Sequence, residues 1–262
     1  MPSLEGRVLA ITRGRKEAAE FSRLVRKGGG RAVPVKAIEI VPEGRRAAQR
    51  FLKLLKEKEH DYCAFMSAQA VAVLFDLGGK NIITALESTK VIAVGPKTKQ
   101  ELERRGVRVD MMPRAFSSAG LAEMLSKKSQ EGKKIIIPRS AEAGDYAAKA
   151  LLDLGMAVDE VFMYSVRTAK VTPAWKKFYG MLVDKKIDAL VFTSASNVRS
   201  FFEIIDGLGR EVRIDKLVQV VSIGPFTSAE LEKRRIRYRE AEDHTIEGTV
   251  RAAEKLFTSR PV

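Results

Sequence analysis

The sequence predicts an α/β fold written twice: two doubly wound parallel-sheet domains from a tandem duplication. Three observations predict it. The stretch VIAVGPKTKQELERRGVRV (Val91–Val109) returns as VVSIGPFTSAELEKRRIRY (Val220–Tyr238). Short unbroken apolar runs, VIAV, KIIIP, ALVF and VVSI, alternate with amphipathic segments, as expected of parallel strands covered by helices on both faces. The repeated motifs also close strands and open turns, the places where doubly wound sheets bind ligands.

The first copy reads in order as follows. A strand at Arg7–Thr12 leads to a helix at Arg15–Lys27, which Gly28, Gly29 and Gly30 close as a helix C-terminus. A strand at Arg31–Val35 precedes a helix at Arg45–Glu59, whose Ala47, Ala48, Phe51, Leu52 and Leu55 share one face. Then come strand Tyr62–Met66, helix Ala68–Leu77, strand Lys90–Val94, helix Lys97–Arg105, strand Val107–Met111 and helix Ser118–Lys128.

The second copy holds register with the first. In GPKTKQELERRGVR and GPFTSAELEKRRIR, the Gly, Pro, Thr, Glu, Leu, Glu and two Arg coincide, with Gly95 on Gly224 at an offset of 129 (224 − 95). DYCAFMSAQAV (Asp61–Val71) answers DALVFTSASNV (Asp188–Val198), which sets Ser67 on Ser194 at 127 (194 − 67). VLAITR (Val8–Arg13) answers KIIIPR (Lys134–Arg139), Arg13 falling on Arg139 at 126 (139 − 13). Such drift is loop-sized, and the halves divide near Gly132. The period is too long for a solenoid repeat, so each copy has domain size.

Composition narrows the partners. The 262 residues are 45% hydrophobic, enough for one large domain or two ordinary ones. Lys and Arg number 47 against 33 Asp and Glu, a formal net charge of +14. That excess favours an anionic partner: nucleic acid, an acidic membrane surface or a polyanionic small molecule. The single cysteine, Cys63, excludes an internal disulfide, fits a reducing cytosol and reads as a buried core residue. No apolar run reaches the roughly 18 residues of a membrane span, so the expectation is a soluble, cytoplasmic protein.

Several chemistries lack their motifs. There is no Cys/His cluster for a metal, no GxSxG elbow, and neither a GxGxxG nor a GxxxxGK[ST] loop. The two histidines, His60 and His244, read as solvated. The basic run EKRRIRYRE (Glu232–Glu240) reads as the solvated end of a helix and an edge strand, with a phosphate-binding stripe the lesser alternative.

What remains are the strand ends ITR, FMS, AVGPKT, IPRS, FTS and SIGPFT. A helix opening beyond such a turn offers unpaired N–H groups and partial positive charge to an anion. Ser67, Thr98, Ser194 and Thr227 are placed either to cap those helices or to donate to a ligand, and both readings stand. Their symmetric pairing favours a ligand cleft between the copies.

The ordered set ITR, VP, FMSAQAV, AVGPKT, IPRS, VFMYSVRT, VFTSASNV and SIGPFTSAEL, running from Val8 to about Leu256, resembles the uroporphyrinogen-III synthase family. That resemblance implies two α/β domains in a crossed arrangement, residues 1–36 with 169–262 and residues 37–168. Two extended linkers join them, IEIVP (Ile38–Pro42) and MYSVRT (Met163–Thr168). It implies a monomer acting on hydroxymethylbilane, a linear tetrapyrrole octacarboxylate, without metal or organic cofactor and without nucleic acid or membrane. It also implies the site residues. Tyr164 matches the tyrosine the family places over the cleft, and aligning the two copies sets Glu39 or Ile38 opposite it. Backbone amides after Ser67, Gly95, Ser194 and Gly224, with the hydroxyls of Thr98 and Thr227, would grip carboxylates, and Arg13 and Arg139 would add charge at the rim. The chain departs from the family after the FxS serine, where Ala68-Gln69 replaces a frequent Pro-Arg. Two rivals are a two-domain small-molecule binding module and a basic nucleic-acid-binding protein.

Overall fold

The computed structural model describes residues 3–208 and 213–258. Its fold is α/β with two sheets dominated by parallel strands, as the duplication predicts. The hydrogen bonds from Ala169 N–H to the Ala37 carbonyl and from Glu43 N–H to the Met163 carbonyl set one linker strand antiparallel to the other. The first sheet contains β1 (Val8–Ile11), β2 (Arg31–Pro34), β8 (Ala189–Phe192), β9 (Gln219–Ser222) and β10 (Arg239–Glu240), in the order β10-β9-β8-β1-β2. The second contains β3 (Ile38–Pro42), β4 (Tyr62–Phe65), β5 (Lys90–Ala93), β6 (Lys134–Ser140) and β7 (Ala157–Thr168), in the order β3-β7-β6-β4-β5. Each sheet belongs to one compact unit. Among the described residues the first unit takes those up to Glu39 and from Arg167, and the second takes Ile40–Val166. The chain therefore changes unit within β3 and within β7.

The apolar runs are explained by burial on both sheet faces. In β6, Ile135 and Ile137 pack into one core cluster while Ile136 packs into another. In β1, Leu9 and Ile11 face one cluster and Ala10 the opposite one. The first unit's larger core gathers aromatic rings from α8 (Pro173–Val183) and α9 (Ala195–Gly207). There Trp175 meets Phe178 edge-on at 5.5 Å between centroids, and its indole N–H donates to the Lys36 carbonyl at 2.9 Å.

Three elements differ from the sequence reading. The first helix, α1 (Ala19–Lys27), starts four residues late. Residues 15–18 form turns instead, closed by the Ala18 N–H on the Gly14 carbonyl at 2.9 Å. The expected strand Val107–Met111 reduces to a single parallel bridge between Met111 and Ile92. Pro113, two residues on, lacks an N–H with which to extend a ladder. His60 is buried rather than solvated. Left-handed Glu59 turns the chain off α2 (Arg45–Lys58) and back toward the sheet, where the His60 imidazole meets Asp159 of β7 at 3.0 Å.

The duplication extends to helices whose sequences conceal it. Ser117 caps α6 (Ser118–Ser126) by accepting from the Gly120 N–H at 3.1 Å. Thr245 treats α12 (Ile246–Thr258) alike, accepting from the Gly248 N–H at 3.0 Å. Each glycine is demanded by crowding: a Cβ would lie 2.0 Å from the Ala115 carbonyl oxygen at Gly120, and 1.9 Å from that of Asp243 at Gly248. Gly120→Ala and Gly248→Ala are each expected to destabilise the protein by about 1–3 kcal/mol through forced backbone displacement. Denaturant unfolding checks this, and a change below about 0.5 kcal/mol, the range of ordinary surface substitutions, would refute the crowding argument.

Candidate functional site

At the carboxyl ends of β4 and β8 the chain must hand its backbone to a helix whose first N–H groups lack partners. Ser67 and Ser194 solve this identically. Ser67 Oγ accepts from the Ala70 N–H at 3.1 Å, opening α3 (Ala68–Gly78). Ser194 Oγ accepts from the Asn197 N–H at 3.2 Å and from the Asn197 side-chain amide at 2.7 Å, opening α9. Capping engages only the oxygen lone pairs, and each hydroxyl has a neighbouring oxygen within reach: Tyr164 at 3.4 Å for Ser67 and Ser196 at 3.0 Å for Ser194. Donation to a ligand would compete with those neighbours rather than with the cap.

The ends of β5 and β9 use another device. Gly95 and Gly224 occupy the N-cap positions of α5 (Pro96–Arg104) and α11 (Pro225–Lys233), with a proline at the first helical position of each. Gly95 has φ of +114°, which favours glycine. Gly224 has extended backbone, and its neighbour restricts it instead: a Cβ there would lie 3.0 Å from the His244 imidazole.

This corrects the expectation for the two threonines. Thr98 and Thr227 are the third residues of their helices rather than caps, with no capping bond from their side chains, and are only 4% and 2% exposed. The proline that follows each glycine moves the helix start forward and carries the threonine inside the first turn. Arg139 is corrected too. It is 5% exposed, pairs with Glu160 of β7 and donates to the Gly144 carbonyl, so it braces the loop after β6 instead of lending charge at a rim. Arg13 is half-buried at the end of β1, and its Nε donates to Thr193 Oγ1 beyond β8 at 2.6 Å. Burial lowers the pKa of its guanidinium, partly offset by Glu17 and Glu20.

Tyr164 lies on β7 and is 7% exposed, packed in the second unit's core. A bulge aims it there. Arg139 pairs with Phe162 but Ser140 pairs with Tyr164, so β7 contributes one extra residue, and Met163 and Tyr164 are both buried. The phenol oxygen stands 3.4 Å from Ser67 Oγ. Burial pushes the phenol pKa up. A hydrogen bond from Ser67 opposes this, the Glu142 carboxylate reinforces it, and Ser140 opposes it more weakly.

Ser140 and Glu142 are the residues that sequence reasoning missed. Ser140 donates to Glu142 Oε2 at 2.6 Å, while the next amide, Ala141 N–H, donates to the Tyr164 carbonyl at 2.9 Å. Burial works to raise the Glu142 pKa, but the Ser140 hydroxyl, the Val166 N–H and its own N–H outweigh it, and the net shift is downward. The motif IPRS contains Ser140, which ends β6, but only the bulge that sets it against Tyr164 gives it a role. A neutral phenol among two hydroxyls and a carboxylate can donate a proton or hydrogen bond to an oxygen.

Among the described residues, no group of three His, Cys, Asp or Glu is arranged to hold a metal ion, and no helix is long and apolar enough to cross a membrane.

Residues 19–251 match the family model described as uroporphyrinogen-III synthase HemD. A putative uroporphyrinogen-III synthase of Methanothermobacter thermautotrophicus is 28% identical over 245 residues, 93% of this chain and 96% of that protein. The uroporphyrinogen-III synthase of Chlorobaculum parvum is 26% identical, covering 88% of this chain and 91% of its own. Among solved structures, uroporphyrinogen-III synthetase from Helicobacter pylori superposes with a TM-score of 0.68 at 15% identity, over 95% of this chain and 99% of that one. A uroporphyrinogen III synthase variant from Thermus thermophilus gives 0.64 at 18% identity, over 95% and 100%. At such identities the structures speak for the fold and the family model speaks for descent: this chain belongs to the uroporphyrinogen-III synthase family.

Proposed function

We propose that the protein is a uroporphyrinogen-III synthase, a hydro-lyase that closes hydroxymethylbilane into uroporphyrinogen III with inversion of the last pyrrole ring and loss of water. The observation that carries this reading is the family match across residues 19–251. The net charge of +14 suits an octacarboxylate substrate. A cytoplasmic monomer that binds neither nucleic acid nor membrane fits the same reading, and the chemistry calls on no metal or organic cofactor.

In this mechanism the terminal hydroxyl of the bilane takes a proton and leaves as water, giving an electrophilic azafulvene. The substituted carbon of the last pyrrole attacks, and the spiro intermediate rearranges with that ring turned over. Tyr164 is the proton or hydrogen-bond donor to the departing oxygen. Backbone N–H groups after Ser67 and Ser194, and those beyond the prolines that follow Gly95 and Gly224, hold carboxylates at helix N-termini, and the folded geometry of the bound chain supplies much of the acceleration. Arg13 contributes charge from its half-buried position.

Incubation with hydroxymethylbilane is expected to yield the III isomer. Formation of only the I isomer, the spontaneous product, would reduce the protein to a binder. Tyr164→Phe keeps the ring and removes one hydroxyl. Its kcat is expected to fall roughly ten- to a thousand-fold, with KM changed much less, because an interaction made mainly in the transition state appears in kcat. An unchanged kcat for the III isomer removes Tyr164 from catalysis. Glu142→Gln deletes the negative charge that disfavours tyrosinate, so the Tyr164 phenol is expected to titrate at lower pH than in the wild type. The change is read as phenolate absorbance against the Tyr164→Phe background, and an unmoved titration would show that Glu142 does not act on the hydroxyl.

A further inference from the structure

Each Gly-Pro turn is flanked by two positions, the residue after the proline and the residue before the cap of the next helix. At the second unit's turn these are Lys97 and Phe116; at the first unit's they are Phe226 and His244. The positions correspond between the copies, at offsets of 129 (226 − 97) and 128 (244 − 116). The aromatic and the basic residue have exchanged places, yet each turn retains one of each.

Both pre-cap residues stand over their glycine. A Cβ at Gly95 would lie 3.6 Å from Phe116 Cβ, and one at Gly224 would lie 3.0 Å from the His244 ring. The phenylalanines have little part in any core: Phe116 is 56% exposed and Phe226 81%, the highest among the exposed large hydrophobic residues of the described chain. Phe226, on the exposed first turn of its helix, has no capping role, and Phe116, although it precedes the cap Ser117 where an apolar residue can staple to Leu121, leaves more than half its surface in solvent. Lys97 is exposed, and the His244 imidazole lies 3.7 Å from Glu240 with more than half its side-chain surface in solvent. An imidazole also keeps an N–H donor in either protonation state.

We propose that each Gly-Pro turn, with its phenylalanine and its basic side chain, is a half-site for one carboxylate-bearing pyrrole ring. The ring stacks on Phe116 or Phe226, and its acid side chain meets Lys97 or His244. This inference rests on the proposed function. A pyrrole carrying acetate and propionate presents a π face and an anion a few bonds apart, and an aromatic face beside a donor complements both. A lone exposed phenylalanine is ordinary; loss of one and gain of the other at paired turns is what ring-and-acid recognition requires.

Phe116→Ala and Phe226→Ala are each expected to raise KM for hydroxymethylbilane roughly two- to tenfold, with kcat for the III isomer nearly constant and the unfolding midpoint unmoved. Phe226→Tyr, which keeps the ring, is expected to restore the wild-type KM. Lys97→Met is expected to raise KM and to weaken its dependence on salt. Wild-type KM in both alanine variants overturns the half-sites, as does a Phe226→Tyr variant no better than Phe226→Ala. Those results leave the proposed function standing so long as the wild-type protein makes the III isomer; failure to make it overturns both.

Discussion

A parallel strand buried on both faces must leave the sheet at its carboxyl end and deliver its backbone to a helix whose first N–H groups have no partner. Much of the candidate site's chemistry is an answer to that constraint. Ser67 and Ser194 satisfy part of the deficit with a side-chain oxygen. Gly95-Pro96 and Gly224-Pro225 reduce it by placing proline, which has no N–H, at the first helical position. Whatever N–H groups remain point out of the strand end with a partial positive charge. The fold thus makes anion-binding ends as a by-product of covering a parallel sheet, and it makes them in both copies.

The same constraint explains what was legible in the sequence. Strands covered on both faces read as VIAV, KIIIP, ALVF and VVSI, and their duplication shows directly because turns and caps tolerate little change. Helices were harder. The correspondence of α6 with α12 rests on one hydroxyl and one glycine three residues later, in sequences that otherwise share little. The threonines misled because Thr three residues after a glycine looks like a cap until the intervening proline is counted as helical.

Arg139 and His60 were misread for a different reason. Both have their partners on β7: Glu160 lies 21 residues from Arg139, and Asp159 lies 99 from His60. A charged residue's partner depends on strand order, and the order β3-β7-β6-β4-β5 is not visible in local pattern. Ser140 and Glu142 escaped notice for the same reason, since their meaning depends on the bulge that sets Ser140 against Tyr164.

A duplicated fold supplies symmetric grips, but inversion of one terminal ring is an asymmetric act, so the copies must differ where the chemistry occurs. The role proposed for Tyr164 meets that requirement, because the other copy offers Glu39 or Ile38 in its place. Its setting differs as well. The ionised Glu142 carboxylate can only accept, and Ser140 donates its single proton to it at 2.6 Å. Ser67, whose oxygen already accepts from Ala70, retains its proton for the phenol oxygen. Ser140 also accepts from the Glu142 N–H at 3.3 Å, so its oxygen stays partnered whatever the phenol does. The donation proposed for Tyr164 would therefore leave both serines partnered, which is the condition under which a buried hydroxyl can turn to a ligand without a large penalty.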